Sequence, residues 1–211
     1  MDFIERLNWR HAVKKFDGGK KLSKEQLDTI LESVRLSPSS FGLQPYRLIL
    51  VEDQEKRRAL GEHSMSNREK VINASNLVVF AVETEMNTVT ADRFVGLISE
   101  VRGIPRSDLT NLEGMLNGLI DRFSDPKDFQ GWAKRQAYIS IGIMLTVCAG
   151  LGIDACPMEG FIADRYDEIL DLKAMGLTTA VIAVLGYRAD DDSYGKLKKV
   201  RRPMNEFLIR I

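Results

Sequence analysis

Cations near both ends of this 211-residue chain are the first residues whose types and spacing suggest chemistry: Arg10 with Lys14, and Lys199 with Arg201. If the termini meet, these charges converge on one phosphate. Taken singly, each pair equally suits a solvated surface, and the five-cation run of Lys196, Lys198, Lys199, Arg201 and Arg202 also suits weak polyanion binding. A second feature is Pro157-Met158-Glu159-Gly160, where a proline and a glycine bracket a turn whose backbone N–H groups a ligand can reach. Between residues 37 and 45, Ser37, Pro38, Ser39, Ser40, Phe41, Gly42, Leu43, Gln44 and Pro45 form a hydroxyl-rich loop held by two prolines. Asn67 and Lys70 share one face of a helix.

Several other chemistries lack their residues. Neither the dinucleotide fingerprint GxGxxG nor the phosphate loop GxxxxGK[ST] occurs. Ser39 or Ser40 with His11 or His63 makes a triad on paper, but neither serine stands in a nucleophile elbow. Cys148 and Cys156 read as buried inert thiols, and with two histidines they form no zinc constellation, so no metal is expected. Thirty basic residues balance thirty acidic ones, which gives no reason to expect nucleic acid or an anionic membrane as partner. The opening MDFIERLNWR has no apolar signal core, so a cytoplasmic location is expected.

The elements that must position these residues follow from periodicity. Met1 to Leu7 reads as a short amphipathic helix. Ser23 and Gln26 form a capping box before a helix over 24–36 with a stripe at Leu27, Ile30, Leu31 and Val34. Strands are predicted at Tyr46–Glu52, Asn76–Glu83, Ile153–Met158 and Thr178–Tyr187, and shorter helices at 54–63, 67–74 and 164–172. Residues 90–129 form a mainly helical excursion broken at Gly103, Pro105 and Pro126, placed to cover a site. Ala137 to Ile153 carries no charge and is apolar on all sides, which predicts a helix buried all round in a core or an interface and stopped by Gly150 and Gly152. The length suits one domain over 1–211, and strands separated by several helices indicate an α+β class.

In order along the chain, Arg10-His11-x-x-Lys14-x-Phe16, Ser37-Pro38-Ser39-Ser40-x-x-x-Gln44-Pro45-Tyr46, Asn67 with Lys70, Trp132 with Gln136, Pro157-Met158-Glu159-Gly160-Phe161 and Lys199-x-Arg201-x-Pro203 resemble the FMN-dependent nitroreductase and flavin reductase family. The oxygen-insensitive bacterial branch is the most similar. This resemblance implies an α+β fold with a central, mostly antiparallel sheet, and an intertwined homodimer in which residues 203–211 pack on the partner. It implies FMN as cofactor and NADH or NADPH as donor. Arg10, Lys199 and Arg201 would bind the phosphate, with His11 and Ala12 alongside. Lys14, Asn67 and Lys70 would face the pyrimidine edge of the flavin, Pro38, Ser39 and Ser40 would come from the other subunit, and Gly42 belongs to the cofactor set. Gln136, Pro157, Met158, Glu159 and Gly160 complete the cofactor set.

A reduced flavin carries negative charge at its N1/O2 edge, so fixed ammonium groups from Lys14 and Lys70 favour its formation. The backbone N–H of Glu159 would donate to N5, the atom that exchanges hydride. Phe41 and Phe123 would face the acceptor, expected to be a nitroaromatic, quinone or flavin-type molecule with a flat ring. A pteridine or enol reductase, a reductive dehalogenase and a non-catalytic FMN-binding protein are the alternatives. Two positions depart from the family pattern: Ala12 replaces a hydroxyl-bearing residue and Gly42 an asparagine. Each loses a hydrogen bond worth about 0.5–1.5 kcal/mol. Ala12→Ser is therefore expected to tighten FMN binding in a titration.

Overall fold

A computed structural model describes residues 2–123 and 125–211. It opens with α1 (Phe3–Trp9), started by a capping box between Asp2 and Glu5, and α2 (Lys24–Arg35), started by the expected box between Ser23 and Gln26. Strand β1 (Tyr46–Val51) leads to α3 (Gln54–Glu62), a 3-10 turn at Met65–Asn67 and α4 (Arg68–Asn73). After β2 (Asn76–Glu83) come α5 (Thr88–Arg102), α6 (Thr110–Ile120) and the long α7 (Pro126–Leu151). The chain closes with β3 (Asp154–Met158), α8 (Ala163–Ile169), β4 (Leu177–Gly186) and α9 (Met204–Phe207).

The four strands pair antiparallel in the order β1-β2-β4-β3, so the two most apolar strands occupy the centre. Their period-2 alternation divides the core. Leu77, Val79, Ala81, Ile182 and Val184 pack on one face with Cys156, Met158 and residues of α3, α4 and α8. Val78, Phe80, Val82, Val181, Ala183 and Leu185 pack on the other beneath α2 and α7. Each fully buried Leu, Ile, Val or Phe contributes about 1.5–3 kcal/mol by leaving water, which is why both faces need cover. Cys148 and Cys156 are both buried free thiols.

Several boundaries differ from the sequence reading. Pro126 does not break a helix; it is the first residue of α7, where its missing N–H is no loss, and Asp125 caps the turn by accepting from Lys127 N. Helix α1 runs two residues later than expected, and Met1 lies outside the described residues. Gly150 stays inside α7, while Gly152, at φ 70°, ends it. Within the described chain α7 is not buried all round: Tyr138 (39%), Ile139 (45%), Gly142 and Leu151 leave an exposed stripe. Its other face packs in the core, so total apolarity concealed two different surfaces. The excursion carries its own small core of Ala91, Val95, Leu109 and Leu116, and Phe129 belongs to α7. No described helix is long and apolar enough to cross a membrane.

Candidate active site

The termini meet. Lys199 Nζ donates to Leu7 O at 2.8 Å and to Arg10 O, closing the C-terminal end of α1, where carbonyls lack helical partners. A cavity of about 430 Å³ results, lined by Trp9, Arg10, His11, Ala12, Lys199 and Arg201 among others. Burial lowers the Arg10 pKa and the Arg201 charge lowers it further; Lys199 is lowered by burial, then by Arg10 and Arg201. These guanidinium and ammonium groups repel one another. Among the described residues, no carboxylate forms a salt bridge with Arg10, Lys199 or Arg201.

The proline-glycine turn follows Cys156, whose thiol feels the charge of Arg10. Asp17 N donates to Tyr187 O (2.8 Å) and Ala189 N to Lys15 O (2.9 Å), which ties the segment carrying Lys14 to the end of β4. Lys14 Nζ lies 5.1 Å from the Tyr194 ring centroid. Lys70, on α4, is buried and donates to Asn67 Oδ1, while Asn67 Nδ2 donates to Gly160 O at 2.9 Å. Burial lowers the Lys70 pKa; the neighbouring Cys156 opposes this and Lys14 adds to it. Burial also pushes the Cys156 thiol up, against the charges of Lys70, Lys14 and Arg10. Three of the expected cations therefore surround the start of the Pro157–Gly160 turn. Arg57 fixes α4 from behind by donating to the carbonyls of Val71 (2.6 Å), Ala74 and Ser75 (2.9 Å).

Gly160 has a steric reason to be glycine, since a Cβ there would meet Asn67 Nδ2 at 2.7 Å. Glu159 accepts from Tyr138 Oη, which joins this turn to the exposed stripe of α7. The same helix positions the hydroxyl loop. Gln136 Oε1 accepts from Ser40 N at 2.9 Å, and Gln44 N donates to Ser39 Oγ at 2.9 Å, so Pro38, Ser39, Ser40, Phe41 and Gly42 are held on the α7 side. Gly42 lies at φ 79°, left-handed backbone that glycine adopts without a Cβ clash and asparagine tolerates better than most residues. Phe41 is exposed at φ 57°. Phe123 meets the buried Phe129 edge-on (5.4 Å) and the half-buried Trp132 at a tilt (5.5 Å).

Sequence reasoning missed Asp192. Buried at the edge of the cavity, it accepts from His11 Nε2 at 3.0 Å and from Lys14 N at 3.3 Å. Nothing in a string of acidic residues near the C-terminal end marks one as the partner of a histidine 181 positions away. Gly195 completes the fit, because a Cβ there would touch His11 Cε1 at 3.0 Å and Arg188 Nη1 at 3.1 Å. Burial alone would raise the Asp192 pKa, but the bonds from His11 and the Lys14 and Lys15 backbone outweigh it and hold the carboxyl below its ordinary 3.8. Folding therefore favours the ionised form; its contribution is complete above that value and is lost as pH falls through the lower folded value. Asp192→Asn is expected to flatten the acid limb of stability below about pH 4, as measured by urea midpoints over that limb.

A cation-lined cavity and a glycine turn on a four-stranded antiparallel sheet flanked by helices define an α+β domain. The Nitroreductase family profile matches residues 7–187, and the chain belongs to that family of oxidoreductases. A Staphylococcus epidermidis relative named "Putative NAD(P)H nitroreductase" is 34% identical over 205 residues, covering 93% of this chain and 92% of its own length. The crystal structure of a Bacillus subtilis protein named "putative nitroreductase" has a TM-score of 0.86 at 22% identity and covers 99% of this chain and 98% of its own. That of an Exiguobacterium sibiricum protein, named "putative nitroreductase in complex with FMN", has a TM-score of 0.83 at 19% identity, covering 100% and 98%.

Proposed function

We propose that this chain is an FMN-dependent enzyme of the cytoplasm that uses NADH or NADPH to reduce nitroaromatic, quinone or flavin-type acceptors, alternating donor and acceptor in one pocket of a homodimer. The observation that carries this reading is the convergence of Arg10, Lys14, Lys70, Lys199 and Arg201 around a cavity and a turn, with mutual repulsion that an anionic, phosphorylated ligand would relieve. The residues present fit FMN in charge: Arg10, Lys199 and Arg201 line one cavity, and at Gly160 a Cβ would meet Asn67 Nδ2 at 2.7 Å.

Bound FMN supplies a two-electron carrier that exchanges hydride at N5. Arg10, Lys199 and Arg201 grip the phosphate, and Asp192 aims His11 at the same place. Lys14, Asn67 and Lys70 place positive charge and donors at the pyrimidine edge. The turn from Pro157 to Gly160 would pack on the flavin, with the Glu159 N–H as the donor to N5. The loop with Pro38, Ser39, Ser40 and Gly42, supported by Gln136, reaches the site from the second copy, and Phe41 and Phe123 shape the acceptor side. Support for the dimer comes from the exposed stripe of α7 and from a tail whose Met204, Phe207 (74%) and Ile209 (82%) stand in solvent.

The test is an absorbance spectrum of protein reconstituted with FMN, followed by anaerobic NADH or NADPH, with sedimentation of the same sample. Bleaching of the bound flavin band in a species of twice the chain mass is the expected result. Persistent colour with either nicotinamide would make the chain a binding protein, and failure to bind FMN would overturn the assignment.

A further inference from the structure

Glu159 is tethered at both ends of its Cα, and its own N–H is not. Its carbonyl accepts from Phe161 N at 2.9 Å, and the next carbonyl, Gly160 O, accepts from Asn67 Nδ2 at 2.9 Å. Its side chain runs the other way. Glu159 is an exposed residue, yet its carboxylate accepts from Tyr138 Oη, 21 positions back on α7. Burial raises the Tyr138 pKa, and the bond and charge of Glu159 raise it further, so the hydroxyl keeps the proton it donates. The Glu159 N–H has no acceptor among the described residues, because β3 ends at Met158, the last residue paired with β4. With carbonyl and carboxylate both held, the dihedral that sets the direction of this N–H has little freedom left, since the peptide plane itself does not bend.

We propose that Tyr138 is a positioning residue: by tethering the Glu159 carboxylate to α7, it holds the Glu159 N–H in the direction needed to donate to flavin N5. The inference rests on the FMN reading of the site and adds to it the group that aims the N5 donor. Helix α7 then sets two parts of the site, since its Gln136 holds Ser40 N in the hydroxyl loop. A preorganised donor matters where charge changes during reaction, so its aim bears on rate more than on cofactor affinity. Loss of the Tyr138 hydroxyl leaves the N–H in place but loosely directed.

The test compares wild type, Tyr138→Phe, Glu159→Ala and the double variant, each reconstituted with FMN carrying nitrogen-15 at N5. Two readouts are taken: the N5 resonance, and stopped-flow reduction by NADH and NADPH. Tyr138→Phe is expected to slow reduction about 10-fold, less than the roughly 10²–10³ of deleting a preorganised donor, with FMN affinity within about twofold of wild type. Its N5 resonance is expected to move downfield, as a ring nitrogen does on losing a hydrogen bond. The double variant is expected to be no slower than Glu159→Ala, because both changes break one bond. An unchanged rate and N5 resonance in Tyr138→Phe overturn this inference alone. Additive losses in the double variant also overturn it, since Tyr138 would then act other than through Glu159, and so does early melting or FMN loss in Tyr138→Phe, which would make its role structural. If neither nicotinamide reduces the wild type, the reductase reading fails while the N5 resonance still decides the aim of the N–H. If the wild type takes up no FMN, both readings fail.

Discussion

Replacing Lys70 by methionine is expected to slow reduction of the reconstituted enzyme by NAD(P)H about 10²-fold without loosening the fold. The size follows from the effect of removing one preorganised donor at a site of developing charge, about 10²–10³ in rate. The sign on stability runs the other way. Lys70 is buried and burial lowers its pKa, so its charge is held at a cost that methionine, of similar length, does not incur. Asn67 Oδ1 loses a donor in the variant, which offsets part of that gain. Stopped-flow reduction and thermal melting of the same preparation give the two readouts, with the flavin midpoint potential moving to more negative values. A slow variant that also melts early would assign Lys70 a structural role; an unchanged potential would remove it from the pyrimidine edge.

The largest stability effect is expected at Asp154. This carboxylate is 3% exposed and accepts from Arg188 Nη2 at 2.6 Å, from Nε at 3.0 Å and from the Arg188 backbone N–H at 2.8 Å. Arg188 in turn lies 4.3 Å from the centroid of the Trp9 ring and against the Gly195 position, so the pair joins the start of β3, the chain after β4 and the end of α1. Removing one member of a buried pair typically costs 3–5 kcal/mol because the other charge remains without a partner. Arg188 keeps a quarter of its side-chain surface in solvent. Asp154→Ala is therefore expected near the lower end, about 3 kcal/mol, or a fall of roughly 6–12 °C in Tm for a domain of this size. The double variant Asp154→Ala, Arg188→Met is expected to recover part of that loss, and simple additivity in the cycle would show that the two residues do not act as a pair. Because Trp9 lines the cavity proposed for the phosphate, FMN affinity is expected to weaken together with stability in the single variant.

Features written in short spans of sequence were legible. Apolar runs in 76–83 and 178–187 marked two strands, because burial on both faces requires apolar side chains at nearly every position. Ser23 and Gln26 announced a helix start, since the capping box is a contact between residues three apart. The turn at Pro157–Gly160 and the cation pairs were visible as residue types, and the ordered motifs carried the family. Each of these signals is local or lies in a motif.

What tertiary structure decided is what these residues touch. Lys199 reads as a surface cation, yet it closes α1 through the carbonyls of Leu7 and Arg10. Asp192 and Asp154 carry no mark in the sequence, yet each is buried, against His11 and Arg188, which chain folding brings from 181 and 34 positions away. The left-handed backbone of Met65, at φ 46°, lies between Ser64, bonded to Leu60 and Tyr166, and Asn67, bonded to Gly160, and none of these distant partners leaves a mark in the sequence at Met65. Apolarity gave α7 its helix and its burial in the core, but the stripe through Tyr138 and Ile139 is apolar without being covered in this chain. Periodicity records how much surface must leave water; only the packed chain shows which surface remains, and which charges are left facing one another around a cavity.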